Sequence, residues 1–192
     1  NNSFATFGKQ TGFALIGLAV MSLASIVSRD WLVSKARFFY MGFMVLQLAV
    51  LFIGIDINGN RNWIKILGIP VQPSEFLKVA VVLHVAVYLA ARTREFDNFL
   101  TWRNAFLITG AAMAFVVFGK DLGTMLIMLV MFVGLLSLAG LPMKLLRLIV
   151  VASVVLTPIA LTLGSSSRVG RVTAWLNPSA PDPNGYNWQS EH

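Results

Sequence analysis

Residues 105–139 read AFLITGAAMAFVVF, then GKD, then LGTMLIMLVMFVGLLSLA, with Lys120 and Asp121 as the only charges. At 1.5 Å per residue, about 20 helical residues cross the roughly 30 Å of a bilayer's hydrocarbon, so this stretch is too long for one crossing at ordinary tilt. It must turn at Gly119-Lys120-Asp121, where the charges interrupt it, and a membrane helix pair lies at the centre of the chain.

The same pattern extends outward. Apolar runs cover 11–28, 38–57, 74–91, 105–118, 122–139 and 148–163, the last with Pro158 inside it. The expected fold is all-α, a polytopic membrane helix bundle of about six helices spanning 1–163, with a mixed loop from Asn58 to Pro73 and the start of a large extracellular loop at 164–192. Composition agrees: 57% of the 192 residues are hydrophobic and 12% charged, against about a quarter charged in soluble domains. The mean hydropathy is +0.75, and lipid must cover much of such a surface.

Cysteine is absent, which removes disulfides, Cys-based zinc sites, iron–sulfur clusters and thiol nucleophiles. Of the two histidines, His192 ends the sequence and His84 stands alone in an apolar run, where packing against a polar neighbour is its expected role. The net charge is +7, but no basic run or aromatic-basic stripe suits nucleic acid. The basic residues instead favour one set of alternate loops, with Arg29, Lys35, Arg37, Arg92, Arg94, Arg103, Lys144 and Arg147, over a longer set with Lys9, Arg61, Lys65, Lys120, Arg168 and Arg171. By the positive-inside rule the first set is cytoplasmic. The 58–73 loop, the Gly119 turn and the tail then share the outer face. The chain opens on Asn1-Asn2-Ser3 and stops at Glu191-His192 and reads as a piece of a longer protein; no signal peptide is visible in it, since the first apolar run lacks a charged region in front and a small-residue cleavage site behind.

Several residues on that outer face carry chemistry. In Gln72-Pro73-Ser74-Glu75-Phe76-Leu77-Lys78, Ser74 or a neighbour can cap a helix and Glu75 suits its positive end. Lys78 follows at i,i+3 on the same face as Glu75, inside an apolar run where a charge usually faces a cavity or a partner. Asp121 opens the next helix ahead of Leu122-Gly123-Thr124, as a cap in the simplest reading. The three ionisable groups are expected to converge on one outward cavity, and Lys with a carboxylate there suits a phosphate-bearing substrate, the acid holding a metal ion or accepting a proton. Asn58-Gly59-Asn60-Arg61-Asn62-Trp63 combines a turn with Arg61 and Trp63, either an interfacial anchor or a phosphate or sugar contact. Arg171 adds a cation in the tail. The residues alone leave channel, transporter and lipid enzyme open.

Taken in order, Asn58-Gly59 with Arg61 and Trp63-Ile64, Gln72-Pro73-Ser74-Glu75 with Lys78, Asp121-Leu122-Gly123-Thr124, and Arg171 with Trp175-Leu176-Asn177-Pro178 and Gly185-Tyr186 resemble the SEDS family, the FtsW/RodA class of cell-shape and division proteins. The resemblance runs from about residue 9 to the end and covers the middle of a ten-helix protein, so the first helix and the last four would lie outside this chain. It implies a peptidoglycan glycosyltransferase of the bacterial cytoplasmic membrane, active on the outer face, polymerising lipid II beside a class B penicillin-binding protein and other division or elongation proteins.

Under that resemblance Lys78 and Asp121 are the catalytic pair, and Arg61, Trp63, Gln72, Ser74, Glu75, Thr124 and Arg171 bind substrate. Lys78, assisted by Arg61, contacts pyrophosphate, and Asp121 holds the Lys or a divalent cation, Mg or Mn. No organic cofactor is implied. The family's favoured general base, a late Asp of the extracellular loop, would fall beyond His192, leaving this chain inactive by itself. Two departures stand out. Asn62 follows Arg61 where the family often has a second basic residue, which removes a phosphate contact, and Gly119-Lys120 replaces a frequent Gln-Pro, which leans toward the FtsW branch. A flippase for the same lipid and a non-catalytic scaffold are the competing readings. Absence of an internal repeat disfavours the first, and the retention of intramembrane charges disfavours the second.

Overall fold

The computed structural model describes residues 3–57, 60–66, 68–93 and 98–164. Six helices and three strands occur among them: α1 (Ser3–Ser25), α2 (Arg29–Ile53), β1 (Ile55–Ile57), β2 (Asn60–Ile66), β3 (Ile69–Val71), α3 (Pro73–Ala90), α4 (Phe99–Phe118), α5 (Leu122–Leu138) and α6 (Met143–Gly164). By length and composition α2, α3 and α4 suffice to cross a membrane, and α5 is a shorter apolar helix. The all-α bundle read from the sequence is therefore the main architecture. The expected extracellular segment 164–192 falls outside the described residues beyond Gly164.

Two expectations need correction. The supposed loop 58–73 contains strands β2 and β3, which with β1, from the end of the expected second helix, form an antiparallel sheet in the order β1-β2-β3. Its strands pair Ile55 with Trp63, and Ile64, Lys65 and Ile66 with Val71, Pro70 and Ile69. Gly68, at φ +83°, makes the β2–β3 turn in a conformation that other residues rarely adopt. The second helix is also displaced, running over 29–53 rather than 38–57. Ser28 caps it by accepting the Trp31 amide at 3.3 Å, and Asp30 sits in its positive first turn. It stops at Gly54, where a Cβ would lie 2.3 Å from the Val50 carbonyl.

Other helix ends follow the same logic. Asn98 Oδ1 accepts the Leu100 amide at 2.9 Å and starts α4 six residues ahead of the apolar run. Pro142 precedes α6 and accepts the Leu145 and Leu146 amides. The first helix begins nearer the N-terminus than expected, at Ser3 rather than 11, and ends at Ser25.

The core lies where α3 packs against α2, α4 and α5. Leu77, Val81, Val85 and Leu89 form a buried i,i+4 stripe along α3. Opposite it, α4 presents Ala105, Thr109, Ala112 and Val116, all fully buried. Small side chains let the two backbones approach, and such close packing holds helices together in lipid, where the hydrophobic effect between them is weak. α1 is different: Leu15, Ile16, Leu18 and Val20 point around its axis and are all exposed, the pattern of a helix surrounded by an apolar medium.

Candidate functional site at the starts of α3 and α5

The sheet closes over one end of the bundle and brings the polar residues together. Strand β3 leads into Gln72, the N-cap of α3, and Pro73 occupies the first turn, where its missing N–H costs nothing. Gln72 makes no cap bond with its own side chain. Its Nε2 instead donates to Asp121 Oδ2, so the N-termini of α3 and α5 are tied directly.

Asp121 is the N-cap of α5 and is buried, 8% exposed. Its Oδ1 accepts the Thr124 amide at 3.0 Å and its Oδ2 accepts the Thr124 hydroxyl at 2.7 Å. With Gln72 that makes three donors, which fix the carboxylate in one orientation. The positive ends of two helix dipoles meet beside it, an environment that favours anions.

Lys78 and Glu75 form an ion pair one turn into α3, with Nζ 2.9 Å from both carboxylate oxygens. The Lys78 side chain is 13% exposed and that of Glu75 52%. The expected Lys78–Asp121 contact is corrected here: spacing i,i+3 on one helix gives Lys78 to Glu75, whereas Asp121 is already taken by Gln72 and Thr124. Ser74 is fully buried, and its Oγ has no hydrogen-bond partner among the described residues.

Arg61 is drawn toward backbone. Its Nε donates to the Gly54 carbonyl at 3.2 Å and a terminal nitrogen to the Phe52 carbonyl at 3.3 Å. These satisfy carbonyls at the end of α2, and a cation there also complements the helix dipole. Trp63 is partly buried on β2. Arg171 lies outside the described residues.

Among the described residues no group of three His, Asp or Glu side chains gathers to hold a metal. Asp121 offers a single carboxylate whose oxygens already accept three hydrogen bonds. This donor set does not fit a resident divalent cation.

A buried amide pair escaped the sequence reading. Gln47 Nε2 on α2 donates to Asn62 Oδ1 at 2.6 Å, and Asn62 Nδ2 donates to the Val116 carbonyl at 3.2 Å. The signal was present, since Gln47 is the lone amide in a long apolar run. His84 stacks on the Tyr40 ring with centroids 5.0 Å apart, and its Nδ1 has no hydrogen-bond partner among the described residues, while the Tyr40 hydroxyl donates to the Ile108 carbonyl at 2.9 Å.

These features define a multi-pass membrane bundle with a fixed carboxylate and an ion-paired lysine at the adjoining starts of two helices. The chain belongs to the FtsW/RodA/SpoVE family of cell cycle proteins, which matches residues 1–191. It is 33% identical to the probable peptidoglycan glycosyltransferase FtsW of Mycobacterium tuberculosis, over 96% of this chain and 36% of that protein. The crystal structure of Thermus thermophilus RodA, a rod shape determining protein, matches with a TM-score of 0.65 at 27% identity, over 73% of this chain and 46% of the other. A chain from a peptidoglycan synthase complex that coordinates polymerisation and crosslinking matches with a TM-score of 0.73 at 28% identity, covering 94% and 53%. The chain thus spans about half or less of the length of these relatives.

Proposed function

We propose that the whole protein is a peptidoglycan glycosyltransferase that polymerises lipid II into glycan strands in cell division or elongation. The observation that carries this reading is the joining of the α3 and α5 N-termini through Gln72 and Asp121, less than two helical turns from Lys78, in a chain whose relatives are named for that activity. Lys78 binds the diphosphate. Its present partner Glu75 is half exposed, so a doubly charged phosphate group can take the place of that carboxylate at Lys78. The helix N-termini add N–H groups and positive potential for the same anion. Asp121 supplies the fixed negative charge at the edge of the site, facing the reacting end of the substrate. Arg61, Trp63 and Arg171 complete the substrate-binding set.

The site faces outward from the cytoplasmic membrane in this reading, supported by the excess of Lys and Arg in the opposite loops. The partner is a class B penicillin-binding protein, supported by the similarity to a chain of a peptidoglycan synthase complex.

The test follows lipid II conversion to glycan polymer by the full-length protein with its transpeptidase partner in proteoliposomes, for wild type, Lys78→Ala and Asp121→Ala. Transbilayer movement of the lipid is read in parallel. Polymer from wild type, lost in both folded variants, is the expected result. Lipid movement without polymer would overturn the reading in favour of a flippase.

A further inference from the structure

We infer that Asn62 is a positioning residue: its side-chain amide joins β2 to the end of α4 and thereby sets where Asp121 stands. The inference rests on the reading that Asp121 acts on substrate. The link between the two residues is one atom long, since the Val116 carbonyl that accepts Asn62 Nδ2 at 3.2 Å also accepts the Asp121 amide at 3.2 Å. A second bond locks the same strand to the same turn, from the Arg61 amide to the Gly119 carbonyl at 2.9 Å.

The turn is shaped around the amide. A Cβ on Gly119 would lie 1.9 Å from Asn62 Oδ1 and 2.4 Å from Nδ2, a distance no packing tolerates. The φ of Gly119 is −75°, which any residue adopts, so glycine is needed here for space and not for backbone freedom.

The pair is also an unfavourable way to fill a core. Gln47 and Asn62 are both fully buried, and Gln47 Oε1 has no hydrogen-bond partner among the described residues. Replacing both amides by apolar groups of similar shape leaves nothing unsatisfied and is commonly neutral or stabilising. What such a replacement removes is the directional bond to the Val116 carbonyl, and with it the placement of the Asp121 turn.

The experiment uses the full-length protein in detergent. Residues 1–192 contain no cysteine, so Lys120→Cys gives that segment a single thiol in the turn, whose maleimide reaction rate reports the turn's placement without any substrate. In Gln47→Met/Asn62→Leu, melting is expected to be preserved, maleimide reaction to quicken several-fold and saturated lipid II turnover to fall about tenfold with little change in KM, since small misplacements near reacting groups are amplified in rate. Gly119→Ala is expected to lower the melting temperature strongly in the wild-type background and little in Asn62→Ala, where the colliding amide is gone. Unchanged labelling and turnover in the double variant at equal melting temperature would overturn the inference. So would an equal penalty for Gly119→Ala in both backgrounds. Should wild type make no polymer, the glycosyltransferase reading fails, while the labelling rates and the thermal cycle still decide whether Asn62 places the turn.

Discussion

The α4–α5 and α5–α6 turns close with the same two hydrogen bonds. In the first, Lys120 N–H reaches the Val117 carbonyl at 2.8 Å and Asp121 N–H the Val116 carbonyl at 3.2 Å; in the second, Gly140 N–H reaches Ser137 at 3.1 Å and Leu141 N–H reaches Leu136 at 3.0 Å. Both are Schellman-type helix ends with one left-handed residue. At the second turn that residue is Gly140, at φ +86°, and among the described residues nothing but its chain neighbours lies within 4 Å of where its Cβ would be. At the first it is Lys120, at φ +66°, and the glycine stands one position earlier, beneath Asn62. The α5–α6 turn uses glycine to relieve its backbone. The α4–α5 turn uses glycine to admit a neighbour and leaves a lysine in the strained position, the pattern of strain retained near a functional site.

Exchanging the demands on the two glycines breaks this comparison. Gly119→Ala is expected to destabilise the protein by about 3 kcal/mol, the upper range for overpacking a filled site, whereas Gly140→Ala costs about 1–2 kcal/mol, the penalty of a left-handed non-glycine residue. Denaturation in detergent ranks them, and an equal or reversed order would remove the distinction. A smaller effect sharpens the comparison from the other side. Lys120→Gly relieves the left-handed backbone and is expected to stabilise by up to about 1 kcal/mol, net of the added freedom of the unfolded chain; a loss of stability would show that the Lys120 side chain holds the turn.

The bundle was legible because long apolar runs have few other uses. The turn at 119–121 was legible because two charges divide a stretch too long for one span. The N-terminal turns of α2 were not, since Arg29, Asp30, Lys35 and Arg37 resemble a loop, yet a helix end tolerates charges whose long side chains reach out of the apolar layer. The sheet was hidden by its size: strands of three to seven residues leave no periodicity that stands out beside membrane helices. Within the site, Glu75 and Lys78 followed from helical spacing alone. The bond from Gln72 to Asp121 joins residues 49 positions apart, and no local pattern records it. Asn62 was read as the loss of a cation, because its partners Gln47 and Val116 become visible only once β2 folds against α2 and α4.

In the proposed function Asp121 acts through its charge and not only as a helix cap. Asparagine caps helices as well as aspartate does, and an NH2 in place of Oδ2 donates to Gln72 once that side-chain amide turns its oxygen toward it, so Asp121→Asn keeps the cap and removes the charge. In the full-length protein this variant is expected to melt within a few degrees of wild type and to have lost lipid II polymerisation. Wild-type polymerisation by folded Asp121→Asn would contradict the account and reduce Asp121 to a structural cap.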